Sequence, residues 1–198
     1  MDFNSLPRQN TKEYGAIDYN NIMPLYDYHP WDGGHNPRID KTTTTLLNIK
    51  SGDQKRYQSA VNFFTKVLTN ATKGLARLVD SNPNVYCIVP SHTQDQVSPG
   101  LLALAKRISP NFHFSNNDNL LRRTRTVAKA ATGGARNQHI HLDSIEVTDV
   151  NAIRGQTVFL FDDVSSTGSS MLACKQLLLN SGAERVAMIA LGQTYMDH

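Results

Sequence analysis

The chain of 198 residues carries 20 basic and 17 acidic side chains, a net charge of +3 that forces neither a general nucleic-acid surface nor a membrane-binding one. That length fits one medium domain with a short appendage and suffices to bury a core. No apolar run approaches the roughly 20 residues of a membrane span, and the polar start MDFNSLPRQNTKEYG is not that of a signal peptide, so a cytoplasmic protein is expected.

Residues 1–40 are rich in Asn, Asp, Pro, Gly and Tyr, and YHPWDGGHNPR reads as successive turns. This stretch is expected to be an N-terminal arm or cap ahead of an α/β domain spanning residues 41–198. Within it, Trp31 with Tyr28 and His29 either fastens the arm to the domain or offers a stacking surface for a base. TTTTLLNIK, residues 42–50, has the β-branched content of a strand, and the SGDQ after it ends that strand or caps a helix. Across residues 57–79 apolar side chains recur at Val61, Phe64, Val67, Leu68, Leu75 and Leu78, mostly three or four apart, as one face of a helix requires. NVYCIVP, residues 84–90, is a continuous apolar run suited to a strand buried on both faces, and Pro90 stops it. SPGLLALAKRIS predicts a helix from near Ser98 with Pro99 in its first turn, and Phe112 with Phe114 suggests a second short strand.

HIHLDSIEV, residues 139–147, alternates at Ile140 and Leu142 and again, out of phase, at Ile145 and Val147, so it is read as a strand with His139 and His141 on one face. TVFLF is the next strand, SSMLACKQLLLNSG a helix ended by Gly182, and ERVAMIALG another strand. Strands alternating with helices predict an α/β fold with a mainly parallel sheet flanked by helices. The two cysteines, Cys87 and Cys174, lack metal-ligand spacing and are expected to be buried thiols.

The informative stretch is TVFLFDDVSSTGSSM, in which an apolar strand runs into two adjacent aspartates and then a hydroxyl-rich loop. In an open parallel sheet, ligands collect beyond the carboxyl ends of the strands, where Asp162 and Asp163 fall. The loop Ser165-Ser166-Thr167-Gly168-Ser169-Ser170 then opens a helix, whose unpaired N–H groups and positive dipole end suit a phosphate. Gly168 supplies a conformation or close approach that a side chain would obstruct. Two carboxylates would repel that phosphate, so their partners are sought in the hydroxyls of a ribose or in a magnesium ion shared with ligand phosphates. The plain alternative is a strand-to-helix turn with serine caps and two solvated aspartates, and the full order of residue types argues against it.

FLFDDVSSTGSS resembles the phosphoribosyl-diphosphate-binding motif of type I phosphoribosyltransferases, in which two acidic residues follow a hydrophobic strand and precede a Thr/Ser-Gly loop. That resemblance implies a type I phosphoribosyltransferase-like, Rossmann-like fold. It also implies that Asp162 and Asp163 hold the ribose hydroxyls and magnesium, that Ser166 through Ser170 cradle the 5-phosphate, and that Val164 is the motif's apolar position. The order LLRRTRT, Lys129, ARNQHIHL and RGQTVFLFDDVSSTGSS is similar to the C-terminal half of ComF-type amidophosphoribosyltransferase-like proteins. The two likenesses together cover roughly residues 84 to 195.

The family's flexible hood, which closes over diphosphate, is matched by ATGGAR at residues 131–136, so Lys129 and Arg136 are assigned to the leaving group. PSHTQDQ, residues 90–96, takes the place of the diphosphate loop, with Ser91, His92 and Thr93 as donors. Here the chain departs from the family, which usually carries an Arg or Lys in this loop. Where ComF-type proteins have an Arg-Gly-Phe-Asn-like step, this chain reads Val97-Ser98-Pro99-Gly100.

Arg122, Arg123, Arg125, Lys129 and Arg136 place five cations within fifteen residues with no carboxylate between the first and the last. They form a solvated basic stretch, an anion clamp or, at Arg122, Arg123 and Arg125, a contact for nucleic acid. His139 and His141 lack the further ligands a metal site needs. No general base stands in a named position, because Ser165, Ser166 and Ser169 occupy the variable positions of the loop. The expected function is binding of phosphoribosyl diphosphate with magnesium and transfer of the 5-phosphoribosyl group to a nitrogen nucleophile, in a homodimer. The alternatives are a catalytically silent regulator that binds phosphoribosyl diphosphate or a nucleotide, such as a ComF-like accessory in DNA uptake or repair, and a nucleic-acid accessory acting through the basic segment.

Overall fold

The computed structural model describes residues 16–30, 32–76, 84–112, 114–115, 120–128 and 138–195. Its middle is β6 (Thr157–Ser165), whose first five residues are all buried, as a central parallel strand requires. β6 pairs with β2 (Asn84–Ile88) on one side and with β7 (Arg185–Thr194) on the other. β3 (Phe114–Ser115) extends the sheet beyond β2, and β1 (Ile22–Tyr28) extends it beyond β7, giving the order β1-β7-β6-β2-β3 with every pair parallel. Pro24 within β1 fits an edge strand, where one side of the backbone has no ladder to complete.

Alternation along these strands sorts the core into two layers. Tyr86, Ile88, Phe159, Phe161, Ile189 and Leu191 face one side, packed against Leu46 of α1 (Lys41–Asn48), Phe64 and Leu68 of α2 (Gln54–Ala76), and Leu104 and Ile108 of α3 (Pro99–Phe112). Val85, Cys87, Val158, Leu160, Met188 and Ala190 face the other, against Met171, Cys174 and Leu178 of α5 (Ser169–Asn180). Each large apolar side chain so buried contributes roughly 1.5–3 kcal/mol. A small antiparallel pair, β4 (Leu121–Arg123) with β5 (Ile145–Val147), caps the second layer through Leu121 and Ile145, and α4 (Gln138–Leu142) packs on α5. Both cysteines are buried and unpaired. Among the described residues no helix is long and apolar enough to cross a membrane.

Four readings of the sequence are corrected. TTTTLLNIK forms α1 and its C-terminal turn, not a strand, because the Asp40 carboxylate accepts the Thr43 N–H at 2.7 Å and starts a helix. The hydroxyls of Thr44 and Thr45 return to the carbonyls of Asp40 and Lys41, while Leu46 and Ile49, three apart, are both buried. HIHLDSIEV is a helical turn, α4, followed by the three residues of β5, and the phase slip in its alternation marks that junction. Ser144 closes the turn by donating its hydroxyl to the Ile140 carbonyl at 2.6 Å. Finally, the stretch expected as an arm or cap contributes β1, with Met23, Leu25 and Tyr26 in the core, so part of residues 1–40 is sheet. Phe112 ends α3, and only Phe114 belongs to β3.

Candidate ligand site

Neighbouring residues of a strand point to opposite faces, and this separates the two carboxylates at the end of β6. Asp162 continues the series of Val158 and Leu160 toward α5, whereas Asp163 continues Phe159 and Phe161 toward α1 and α3. Each carboxylate accepts the N–H of the residue that follows it, Asp163 to Asp162 Oδ1 and Val164 to Asp163 Oδ1, both at 2.8 Å. Asp163 is buried, and its Oδ2 meets the Lys50 ammonium and no hydrogen-bond donor besides among the described residues. Burial first, and then the negative charge of Asp163, push the Asp162 carboxyl well above the usual carboxylate range.

β6 ends at Ser165 and α5 begins at Ser169, with Gly168 between them in the left-handed region at φ +77°. A Cβ on Gly168 would lie 2.8 Å from Ile22 Cδ1, so the edge strand and the backbone conformation both favour glycine here. Because glycine has no side chain, Gly168 gives α5 no side-chain cap, and the Ser169 N–H donates instead to Thr167 Oγ1 at 3.4 Å. The Ser165 hydroxyl is buried and finds no partner among the described residues. Ser166 Oγ lies 2.9 Å from Thr194 Oγ1, and Thr167 Oγ1 lies 2.8 Å from Ser169 Oγ.

The loop after β2 is closed at its base by Ser91 N–H donating to the Gln96 carbonyl at 2.8 Å. Its tip holds Asp95 at φ +57°, a left-handed conformation that aspartate tolerates better than most residues. Arg123 of β4 reaches beneath this loop and is only 1 % exposed. Its Nε donates to the Ser91 carbonyl, Nη1 to Ser144 Oγ at 2.7 Å, and Nη2 to the Pro90 carbonyl at 3.5 Å. Burial lowers its pKa. Arg122, one residue away and on the opposite face, is exposed and pairs with Glu146 at 2.6 Å and Asp95 at 3.7 Å.

The facing wall comes from the connection between α1 and α2. Ile49, Lys50, Ser51 and Tyr57 stand there beside Val97, Ser98 and Pro99, and the Tyr57 hydroxyl donates to the Pro99 carbonyl at 3.3 Å. Gly100 allows this approach, since a Cβ on it would lie 2.5 Å from the Ile49 carbonyl oxygen. The open cleft so formed measures about 600 Å³, the size of a small-molecule site.

Ten of the residues singled out in the sequence line this one cavity: Ser91, His92, Asp162, Asp163, Val164, Ser165, Ser166, Thr167, Gly168 and Ser170. Thr93 and Ser169 stand just behind the wall. Lys129, Arg136, the ATGGAR segment and Trp31 lie outside the described residues. His139 and His141 sit on α4 and not on a strand, and His141 reaches the cavity. Sequence reasoning missed Lys50, which ends a segment misread as a strand. It also left Arg123 open between a solvated basic stretch, an anion clamp and a nucleic-acid contact, although the order Leu121-in, Arg122-out, Arg123-in is the period of a strand with one buried face. Among the described residues no three His, Cys, Asp or Glu side chains cluster as metal ligands.

Residues 102–193 match the family model of the phosphoribosyl transferase domain. No curated protein sequence matches the chain. Among solved structures, a hypoxanthine phosphoribosyltransferase from Staphylococcus aureus is similar with 13 % identity and a TM-score of 0.41 over 70 % of this chain and 77 % of that one. The protein TT1426 from Thermus thermophilus is similar with 16 % identity and a TM-score of 0.38 over 68 % of this chain and 83 % of that one.

Proposed function

We propose that this chain, whose residues 102–193 match the phosphoribosyl transferase domain, binds phosphoribosyl diphosphate with magnesium and transfers the 5-phosphoribosyl group to a nitrogen nucleophile. One observation carries the reading. A single cavity is lined by the paired carboxylates of β6, the start of α5 and the unpartnered Ser165 hydroxyl. An anion seated at 166–170 would meet the positive dipole end of α5 and the Ser165 hydroxyl, which suits the 5-phosphate. Asp162 and Asp163 would accept hydrogen bonds from adjacent ribose hydroxyls, displacing Lys50 from Asp163 or sharing it. The loop at 91–96 then lies where the diphosphate would extend, with Lys129 and Arg136 assigned to it by resemblance alone.

In the transfer, a nitrogen lone pair attacks the anomeric carbon. The bond from that carbon to the diphosphate oxygen breaks, its electron pair leaves with diphosphate, and the nitrogen gives up a proton. Developing positive charge on the sugar would be stabilised by the carboxylates beneath it. A carboxylate oxygen suits a hard cation, so Asp162 or Asp163 would hold magnesium with the other positions falling to ligand phosphates and water. When bound, that ion supplies positive charge against the diphosphate.

Calorimetric titration with phosphoribosyl diphosphate and magnesium tests the reading. We expect binding in the wild type, at least about tenfold weaker in Asp162→Asn/Asp163→Asn, and weaker for ribose 5-phosphate than for the diphosphate. Absence of heat with both ligands would reject it. A silent binding protein is the second reading, favoured by the absence of Lys and Arg from residues 91–96. Binding without release of diphosphate on any nitrogen nucleophile would select it. The nucleic-acid reading has less support, because Arg122 is paired and Arg123 is buried, leaving Arg125 exposed.

A further inference from the structure

Arg123 is fully buried, yet among the described residues no carboxylate pairs with it. The nearby acids, Glu146 and Asp95, are both taken by Arg122 on the outer face of β4. A guanidinium removed from water without a counter-ion is costly. Three oxygens accept from it, the carbonyls of Pro90 and Ser91 and the Ser144 hydroxyl, and such neutral acceptors do not neutralise its charge. Arg123 also lines the cavity, together with Ser91 and His92 of the loop it grips.

We propose that Arg123 is the positioning residue of the leaving-group subsite, a cation held beneath the loop at 91–96 that makes this otherwise non-basic loop a receptor for diphosphate. The inference rests on the reading of the cavity as a phosphoribosyl diphosphate site. Its geometry has two consequences. The grip on the Ser91 carbonyl fixes the direction of the His92 N–H, because the two groups of one trans peptide point opposite ways. His141 Nδ1 lies 3.4 Å from Nη2 of Arg123, and since a guanidinium only donates, this nitrogen accepts. In the neutral imidazole the proton is then on Nε2, and His141 is one of the residues lining the same cavity.

Three probes separate this role from that of a plain staple between β4 and the loop: inorganic diphosphate with magnesium, phosphoribosyl diphosphate with magnesium, and ribose 5-phosphate. In Arg123→Met, affinity for the two diphosphate-bearing probes should fall about tenfold or more, while ribose 5-phosphate stays within about twofold. Arg123→Lys, which keeps the charge and loses the fork, should fall between the two. Unchanged diphosphate affinity, or an equal fall for all three probes, would overturn the inference. So would a wild type that takes up no inorganic diphosphate. Should the wild type bind inorganic diphosphate through Arg123 but neither sugar phosphate, the proposed function fails and the role of Arg123 stands. If Arg123→Met does not fold by circular dichroism, Arg123→Lys and Ser144→Ala carry the test. A diphosphate-only loss in both supports the inference, and an unchanged diphosphate affinity in both sinks it.

Discussion

Ser165 and Asp162 are groups whose burial is unfavourable in the free chain. The Ser165 hydroxyl has no partner among the described residues, so Ser165→Ala should leave unfolding free energy within about 0.5 kcal/mol of wild type, or raise it, while weakening ribose 5-phosphate binding several-fold. A urea melt beside a calorimetric titration distinguishes this from an ordinary core serine, whose loss would move the melt alone. For Asp162 the folded-state pKa lies above the unfolded one, near 3.9, through burial and the charge of Asp163. Between those values the folded chain holds more protons than the unfolded chain, so stability falls as pH rises from about 4 through the raised pKa. Asp162→Asn removes that loss: the variant should be more stable than wild type at neutral pH, with the difference shrinking toward pH 4. Parallel stability curves for the two proteins across that range would contradict it. Arg123 shows how a residue's role hides from sequence reasoning. Its neighbours are cations, and only the pairing of β4 with β5 reveals which of them points inward.

At the scale of elements, α1 exposes the limit of propensity. Four consecutive threonines favour a strand, but one hydrogen bond from Thr43 N–H to Asp40 and the burial of Leu46 and Ile49 make a helix the better solution. Asp40→Ala should therefore cost about 1 kcal/mol, read as a shift in the urea midpoint. Since α1 leads directly to Lys50, the same variant should also loosen the wall facing Asp163. The elements read correctly are those whose pattern is internally determined. β2, β6 and β7 are continuous apolar runs, and α5 stands between a glycine at each end. β5 and α4 are short, and their nature is decided by packing on α5 and β4. The strand-to-helix turn at 162–170 was legible because its chemistry is contiguous in sequence. The wall from Ile49 to Tyr57 was not, because it meets the turn only through the fold.

In the whole molecule, the ligand turn and the sheet edge are one structure. Gly168 holds φ +77° with Ile22 of β1 against it, so Gly168→Ala should destabilise by about 1–3 kcal/mol, mostly from the backbone, because the Ile22 tip can yield. A thermal melt indistinguishable from wild type would refute this. β1 also completes its ladder only with β7, the last strand described, while β2 waits for β6. On a ribosome, β1 therefore leaves the tunnel long before its partner is translated, carrying buried-type residues Met23, Leu25 and Tyr26. Nascent chains stalled before β7 must keep this apolar segment unpaired, a state that favours aggregation and slow closure of the sheet. Chaperone occupancy of such stalled chains should accordingly persist until β7 has emerged and then drop.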